Sequence, residues 1–192
     1  TITVTLPATR NIVLSGGGDK IFRLYGAATF TIEGDITGTG NVRHTDGGIL
    51  VLNGDNSFTG NLLAYRGTTA LSGTNTYSGY THVTNGSTLR LDANNTLPDT
   101  TAVLQYAGTT FNVNGYTDTI AGVFVGGAAD TSAILNLGAG GGKLTVTANS
   151  MTGPTNAGDN YYAQITGTGD LEYAHSSSDT ALWNVHNTAS DF

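Results

Sequence analysis

The chain has no cysteine, so it can form no disulfide and offers no thiolate to a metal. It has little charge: 11% of its residues are Asp, Glu, Lys or Arg, under half the usual ~25%. Helix formers are scarce, with two Lys (Lys20, Lys143) and two Glu (Glu33, Glu172) in 192 residues. No window carries a capped apolar period of 3.6 residues, which predicts almost no helix. No long apolar run is present, so this segment should not insert in a membrane as a helix. The seven basic residues, Arg10, Lys20, Arg23, Arg43, Arg66, Arg90 and Lys143, are scattered, and the net charge is −7. That argues against nucleic acid or an anionic membrane as a partner. Neither a starting Met nor a signal peptide is present, which predicts that any export signal lies outside this segment.

What the chain has in abundance is 33 Thr, 28 Gly and 17 Asn. Thr suits a pleated surface, and Gly and Asn tolerate the left-handed backbone of tight turns. Short β-type runs alternate with turn signals such as Asn53–Asp55, Asn85–Gly86 and Asn114–Gly115 along most of the chain. Asn-Gly pairs also close antiparallel hairpins, so a sandwich or barrel is the competing architecture.

A direct repeat favours a solenoid. Gly54, Asn56, Phe58 and Gly60 recur at one constant offset as Gly73, Asn75, Tyr77 and Gly79. Gly67 and Thr69 recur at the same offset as Gly86 and Thr88. A fixed period of this size, just under about 20 residues, means one coil per repeat. Hairpins, by contrast, need not repeat their loop sequences. The expected fold is all-β, a right-handed parallel β-helix with coils of about 19–25 residues, spanning 1–192 as one segment. Its clearest repeats lie at 49–92. About nine coils would make a rod on the order of 40 Å long. Phe58 over Tyr77, and Leu50 and Leu52 near Leu71, are expected interior columns. A weaker echo, Ile36–Gly40 against Ile165–Gly169, suggests a second superrepeat near residue 160. The segments Asn94–Pro98 and Asn149–Asn160 break the period and are read as irregular coil.

The run Gly73-Thr74-Asn75-Thr76-Tyr77-Ser78-Gly79-Tyr80-Thr81, followed by Val83, Gly86 and Leu89, resembles the autotransporter-associated β-strand repeat of bacterial exported proteins. The resemblance covers roughly residues 30–192. It implies a parallel β-helix in the passenger or stalk of a bacterial surface protein, and it implies no particular activity.

Candidate chemistry is thin. Glu33 and Asp35 share a strand face, and with Asp170 and Glu172 they invite comparison with a paired-carboxylate hydrolase site. No Asp-Asp pair supports that, so they are read as solvated carboxylates. His44, His82, His175 and His186 have no ligand-type partner at metal spacing, and His44 and His175 are expected to face solvent. Ser15-Gly16-Gly17-Gly18-Asp19 resembles a calcium loop without its repeat. Thr-x-Thr triplets at Thr1–Thr3, Thr3–Thr5, Thr29–Thr31 and Thr145–Thr147 do not fall at one-coil spacing and are read as ordinary strand threonines. Asn85-Gly86-Ser87 and Asn94-Asn95-Thr96 are glycosylation sequons.

These observations lead to a structural, non-catalytic rod with no cofactor and no metal. Its expected setting is extracellular or on a bacterial cell surface. A parallel β-helix leaves strand edges unpaired at its ends. End-to-end self-association, or continuation in a longer chain, should bury Ile2, Val4 and Leu6 at one end and Trp183 and Phe192 at the other. The alternative is a carbohydrate-binding or carbohydrate-cleaving module, with Tyr65, Tyr80, Tyr106, Tyr161, Tyr162 and Trp183 along a side groove.

Overall fold

A computed structural model describes residues 1–126, 132–147, 160–161, 163–174 and 184–185. No helix occurs among them, and every pairing between their strands is parallel. The parallel ladders exclude the hairpin architecture, since antiparallel partners would be needed.

The first face has eight strands in coil order. They are Thr3–Leu6 (β1), Thr29–Ile32 (β4), Ile49–Leu52 (β7), Thr68–Leu71 (β9), Thr88–Leu91 (β11), Thr110–Asn112 (β13), Ile134–Asn136 (β16) and Gln164–Thr166 (β19). The second face has six: Asp19–Arg23 (β3), Asn41–Thr45 (β6), Leu62–Ala64 (β8), Thr81–Val83 (β10), Ala102–Gln105 (β12) and Gly122–Val125 (β15). The third side is an arc that becomes strand only towards the ends. There Ile12–Leu14 (β2) pairs with Ile36–Gly38 (β5), and Asp118–Ile120 (β14), Lys143–Val146 (β17) and Asp170–Tyr173 (β20) form a three-stranded sheet. Asn160–Tyr161 (β18) pairs with Asn184–Val185 (β21).

The register fixes the coil lengths. Thr29 pairs with Ile49, Ile49 with Thr68, Thr68 with Thr88 and Thr88 with Thr110. The central coils are therefore short and nearly uniform, matching the repeat period. Towards the ends they lengthen, since Thr3 pairs with Thr29 and Ile134 with Gln164. Among the described residues six coils carry both main faces, where a uniform short period over the whole chain leads to about nine. The ITGTG echo is not a repeat in space. Ile36 pairs with Ile12 on the third side, whereas Ile165 pairs with Leu135 on the first face. Both copies turn a corner, and Gly38 and Gly167 have φ near +90° (92 and 91), a conformation that disfavours any residue with a Cβ.

Alternation along each strand builds the core, because successive side chains point to opposite faces. Leu50, Leu89, Phe111 and Leu135 form one buried column with Thr69, and Ile32, Leu52, Leu71 and Leu91 form the next. Coils stack closely where Gly occurs. A Cβ on Gly73 would lie 2.0 Å from the Gly54 carbonyl oxygen, and one on Gly54 would lie 2.2 Å from that of Gly34. Asn94–Pro98 stays within the stack as irregular coil, with Thr96 and Leu97 buried. Most of Asn149–Asn160 lies outside the described residues.

Candidate functional site: an interior polar column and the open first coil

The repeated Asn56 and Asn75 stand one above the other inside the arc. Asn56 Nδ2 donates to Asn75 Oδ1 at 2.6 Å and to its own Gly54 carbonyl at 2.9 Å. Its Oδ1 accepts from the Ile36 amide at 2.8 Å. Asn75 Nδ2 continues the relay to the Thr96 carbonyl at 2.6 Å and to the Gly73 carbonyl at 2.9 Å. Each amide accepts from one coil and donates to the next, which only a side chain with both functions can do.

The column ends on Asp118, which is fully buried. Its Oδ2 accepts from the Thr96 amide at 2.9 Å, the Thr96 hydroxyl at 2.9 Å and the Leu97 amide at 3.1 Å. Its Oδ1 accepts from the Thr119 amide at 2.8 Å. Burial pushes the Asp118 carboxyl above its ordinary value, while those donors pull it back. Sealed from solvent and surrounded by donors, it holds the arc together.

Beside the column, Phe58 and Tyr77 stack in the core. The Tyr77 hydroxyl bonds Thr81 Oγ1 at 2.6 Å, which in turn meets Thr101 Oγ1 at 3.1 Å. Burial pushes this phenol well above its ordinary value. His44, expected at the surface, is instead buried on β6. It shares inward parity with Val42, two residues earlier. Its Nδ1 meets Thr69 Oγ1 at 3.1 Å, its Nε2 has no partner, and burial lowers its pKa to about 4. His175 and His186 lie outside the described residues.

The outer carboxylates are spent on ladders along the coil surface. Glu33 Oε1 accepts from Asn53 Nδ2 at 3.1 Å, and Asn53 Oδ1 accepts from the Ser72 hydroxyl. Asp35 Oδ1 accepts from the Asp55 amide at 2.8 Å, and Asp55 Oδ1 from the Thr74 amide at 2.7 Å. Asp170 and Glu172 belong to β20, whose strand partner β17 supplies Lys143, 2.6 Å from Glu172 Oε2. The four carboxylates are therefore not brought together, and no hydrolytic pair exists between the two sets. At the glycine loop, Lys20 Nζ donates to the Gly16 and Gly17 carbonyls at 3.0 and 3.2 Å. Asp19 is taken by Asn41 and Arg43 at 2.8 and 3.1 Å. A calcium ion would have to displace all of these. No group of three or more His, Cys, Asp or Glu residues suited to a metal occurs among the described residues.

Two triplets do fall at one-coil spacing, contrary to the expectation above. Thr3 pairs with Thr29 and Thr5 with Thr31. The first coil is longer than the repeat period, and that difference hides the match. The array stops there, because Ile49 and Val51 follow on the next coil. Both sequons have buried hydroxyl residues, Ser87 and Thr96.

The remaining candidates from the sequence separate cleanly. Ile2 is 70% exposed and Val4 52%, whereas Leu6 is partly buried against the core. Trp183, Phe192 and Tyr162 lie outside the described residues, as does the side chain of Tyr161. Tyr65 packs beneath the Arg43 guanidinium at 4.2 Å, and Tyr80 lies edge-on to His82 at 6.3 Å. Tyr106 is partly buried. Tyr65 and Tyr106 follow β8 and β12 at the same corner, two coils apart with Thr84 between them, whereas Tyr80 precedes β10 at the other end of that face, so the three do not line one groove. An open depression of about 410 Å³ is lined by Thr74, Asn75, Thr76, Asn95, Asp99 and Thr100, with no aromatic ring. Compared with family models, curated proteins and solved structures, the chain matches none.

Proposed function

We propose that the chain is a non-catalytic structural rod, a stalk, adhesin shaft or fibre segment of a bacterial surface or extracellular protein. The observation that carries this reading is how its polar side chains are used. Asn56, Asn75 and Asp118 bond one coil to the next inside, and Asn53, Asp35 and Asp55 do so outside. A catalytic surface needs titratable groups converging on a cleft. Here such groups are dispersed along the stack, and Glu33, Asp35, Asp55, Asp118 and Glu172 are each bonded within it. The resemblance of 49–92 to autotransporter repeats supports the setting, since passenger stalks of that kind are built by stacking similar coils.

The absence of cysteine fits an exported segment that folds without oxidative help. End contacts, either with another copy or with further coils of a longer chain, are the partners this reading calls for. The carbohydrate module is less well supported, because Tyr65 and Tyr80 belong to different corners and the described depression lacks a stacking ring.

The test is a titration of the intact chain against a panel of neutral and acidic polysaccharides, with release of reducing ends followed in parallel. The rod reading expects no saturable binding and no hydrolysis. Saturable binding that is lost on Tyr80→Ala would move the carbohydrate reading ahead of it.

A further inference from the structure

Three Asn-Gly pairs occur in the chain: Asn53-Gly54, Asn85-Gly86 and Asn114-Gly115. Asparagine before glycine is open to one spontaneous reaction. The glycine amide nitrogen, once it has lost its proton, can attack the asparagine Cγ, because glycine has no Cβ to stand in the way. The fold treats the three pairs differently.

Two of them are locked. Asn53 Nδ2 donates to Glu33 Oε1 and its Oδ1 accepts from the Ser72 hydroxyl, so the carboxamide is held at both ends. Gly54 beside it is buried, with the Gly34 carbonyl oxygen 2.2 Å from where a Cβ would stand. Asn114 Nδ2 donates to the Leu91 carbonyl at 3.1 Å, and the Gly115 amide donates to the Leu137 carbonyl at 3.1 Å. There the side chain and the attacking nitrogen are both engaged in bonds between coils. Asn85-Gly86 is the opposite case. It forms the corner between β10 and β11, and both residues are exposed. Among the described residues neither the Asn85 side chain nor the Gly86 amide has a hydrogen-bond partner. Nothing lies within 4 Å of where a Gly86 Cβ would stand. Asn85 has a φ of +53° and Gly86 of +72°, the left-handed pair of a tight two-residue turn. The Ser87 amide closes that turn on the Thr84 carbonyl at 3.2 Å. A ring built on these two residues therefore has room, and water reaches it.

We infer that Asn85 is a site of spontaneous deamidation, the one of the three Asn-Gly pairs at which the folded stack permits it. The step balances with solvent alone. A bond forms from the Gly86 nitrogen to Asn85 Cγ, and the bond from Cγ to Nδ2 breaks. The proton that Gly86 gave up leaves with Nδ2 as ammonia. Water then opens the five-membered imide at either carbonyl. Attack at Cγ gives aspartate. Attack at the backbone carbonyl gives isoaspartate, with the chain running through the former side chain. Either product carries one new negative charge. Val83 pairs with Ala64, so Asn85 lies level with the exposed Arg66 of the coil before, and the new carboxylate arises beside a cation. Since the Asn85 side chain bonds to no other coil, its conversion to aspartate breaks no link in the stack. A long-lived chain thus accumulates charge at one corner of its central coils. The inference asks only that the coils stack, so its failure would leave the rod reading to its own polysaccharide test.

The basic residues divide the three pairs among separate tryptic peptides. Cleavage after Arg43, Arg66, Arg90 and Lys143 places Asn53 on 44–66, Asn85 on 67–90 and Asn114 on 91–143. The full folded chain is held at mildly alkaline pH, sampled over days and read by peptide mass. Peptide 67–90 should gain about one mass unit, as two products of equal mass that separate by chromatography. It should do so at least about tenfold faster than 44–66 and 91–143, because each of those must first give up two hydrogen bonds. In urea all three should react at comparable rates, since no coil then holds them. Asn85→Gln should leave 67–90 unmodified in the folded chain, with unchanged β-sheet circular dichroism. Equal rates for the three peptides in the folded chain would overturn the inference. So would a mass gain on 67–90 that survives Asn85→Gln, or a folded chain that stays unmodified while its urea-unfolded counterpart reacts.

Discussion

Phe58 and Tyr77, one repeat apart, lie ring over ring with centroids 5.0 Å apart and planes 7° from parallel. Such stacked pairs add about 0.5–1.5 kcal/mol beyond the area they bury. The hydroxyl of Tyr77 also reaches Thr81. Tyr77→Phe should keep the stack and lose that bond, costing about 1 kcal/mol. Phe58→Ala and Tyr77→Ala should each cost about 3–5 kcal/mol. Denaturant unfolding of both single variants and the double variant should give a coupling energy of about 1 kcal/mol. Strict additivity would show that the rings merely share a core.

The asparagine relay predicts an order among substitutions at Asn75. Ala removes both functions and leaves the Thr96 carbonyl and the Asn56 amide group without their partner, costing about 2–4 kcal/mol. Asp keeps the acceptor for Asn56 but cannot donate to the Thr96 and Gly73 carbonyls, and it buries a second charge near Asp118. Asn75→Asp should therefore be worse than Asn75→Ala at pH 7, and the order should narrow as the carboxyl protonates in acid. If Asp were the milder change at neutral pH, the amide donor would not matter to the stack. Asp118→Ala leaves the Thr96 and Leu97 amides unpaired in the core and should cost at least as much as Asn75→Ala.

Two glycines separate space from backbone conformation. Gly73 has the Gly54 carbonyl oxygen 2.0 Å from where a Cβ would sit, so Gly73→Ala must push two coils apart. Gly86 has a φ of +72° but open space around it. Gly86→Ala should cost about 1 kcal/mol, the usual penalty of a left-handed residue, and Gly73→Ala several times that. Thermal midpoints would rank them, and equal shifts would mean that the coils can separate without cost.

The parts of this fold that are legible in the sequence are those that repeat residue for residue. Asn56 with Asn75, and Phe58 with Tyr77, are the same chemistry at one period, so their columns show in the repeat itself. Asp118 does not, because it completes the asparagine column with a different residue 22 positions beyond Thr96. The Thr3 and Thr29 pairing is hidden by a first coil longer than the period. The Ile36 and Ile165 echo misleads for the same reason: coils of unequal length carry the same corner motif onto different sides. His44 can be placed inside from its parity with Val42. Lys20 shares that parity with Phe22, yet a lysine in a strand reads as solvent-facing, and only the register shows it at the end of a core column.

His44 makes the rod sensitive to mild acid. It is buried, its Nε2 has no partner, and its pKa is lowered to about 4. The ordinary histidine of the unfolded chain titrates near 6.5. Above that value both states are neutral and nothing is lost. Between about 6.5 and 4 the unfolded chain takes up a proton that the folded one refuses, so stability falls as the pH falls. Below about 4 both are charged and the loss levels off. The shift corresponds to a loss of a few kcal/mol at most. His82, lowered by its own burial, adds to the loss. Asp118 acts in the other direction. Its carboxyl is raised, so its ionised form destabilises the fold at neutral pH, and its protonation in acid returns some stability. Urea unfolding at pH 7 and pH 4.5 should therefore show a net loss in the native chain. In His44→Leu, which keeps the volume and removes the proton site, the loss should shrink by at least about 1 kcal/mol. An unchanged difference between the two pH values would exclude His44 as its source.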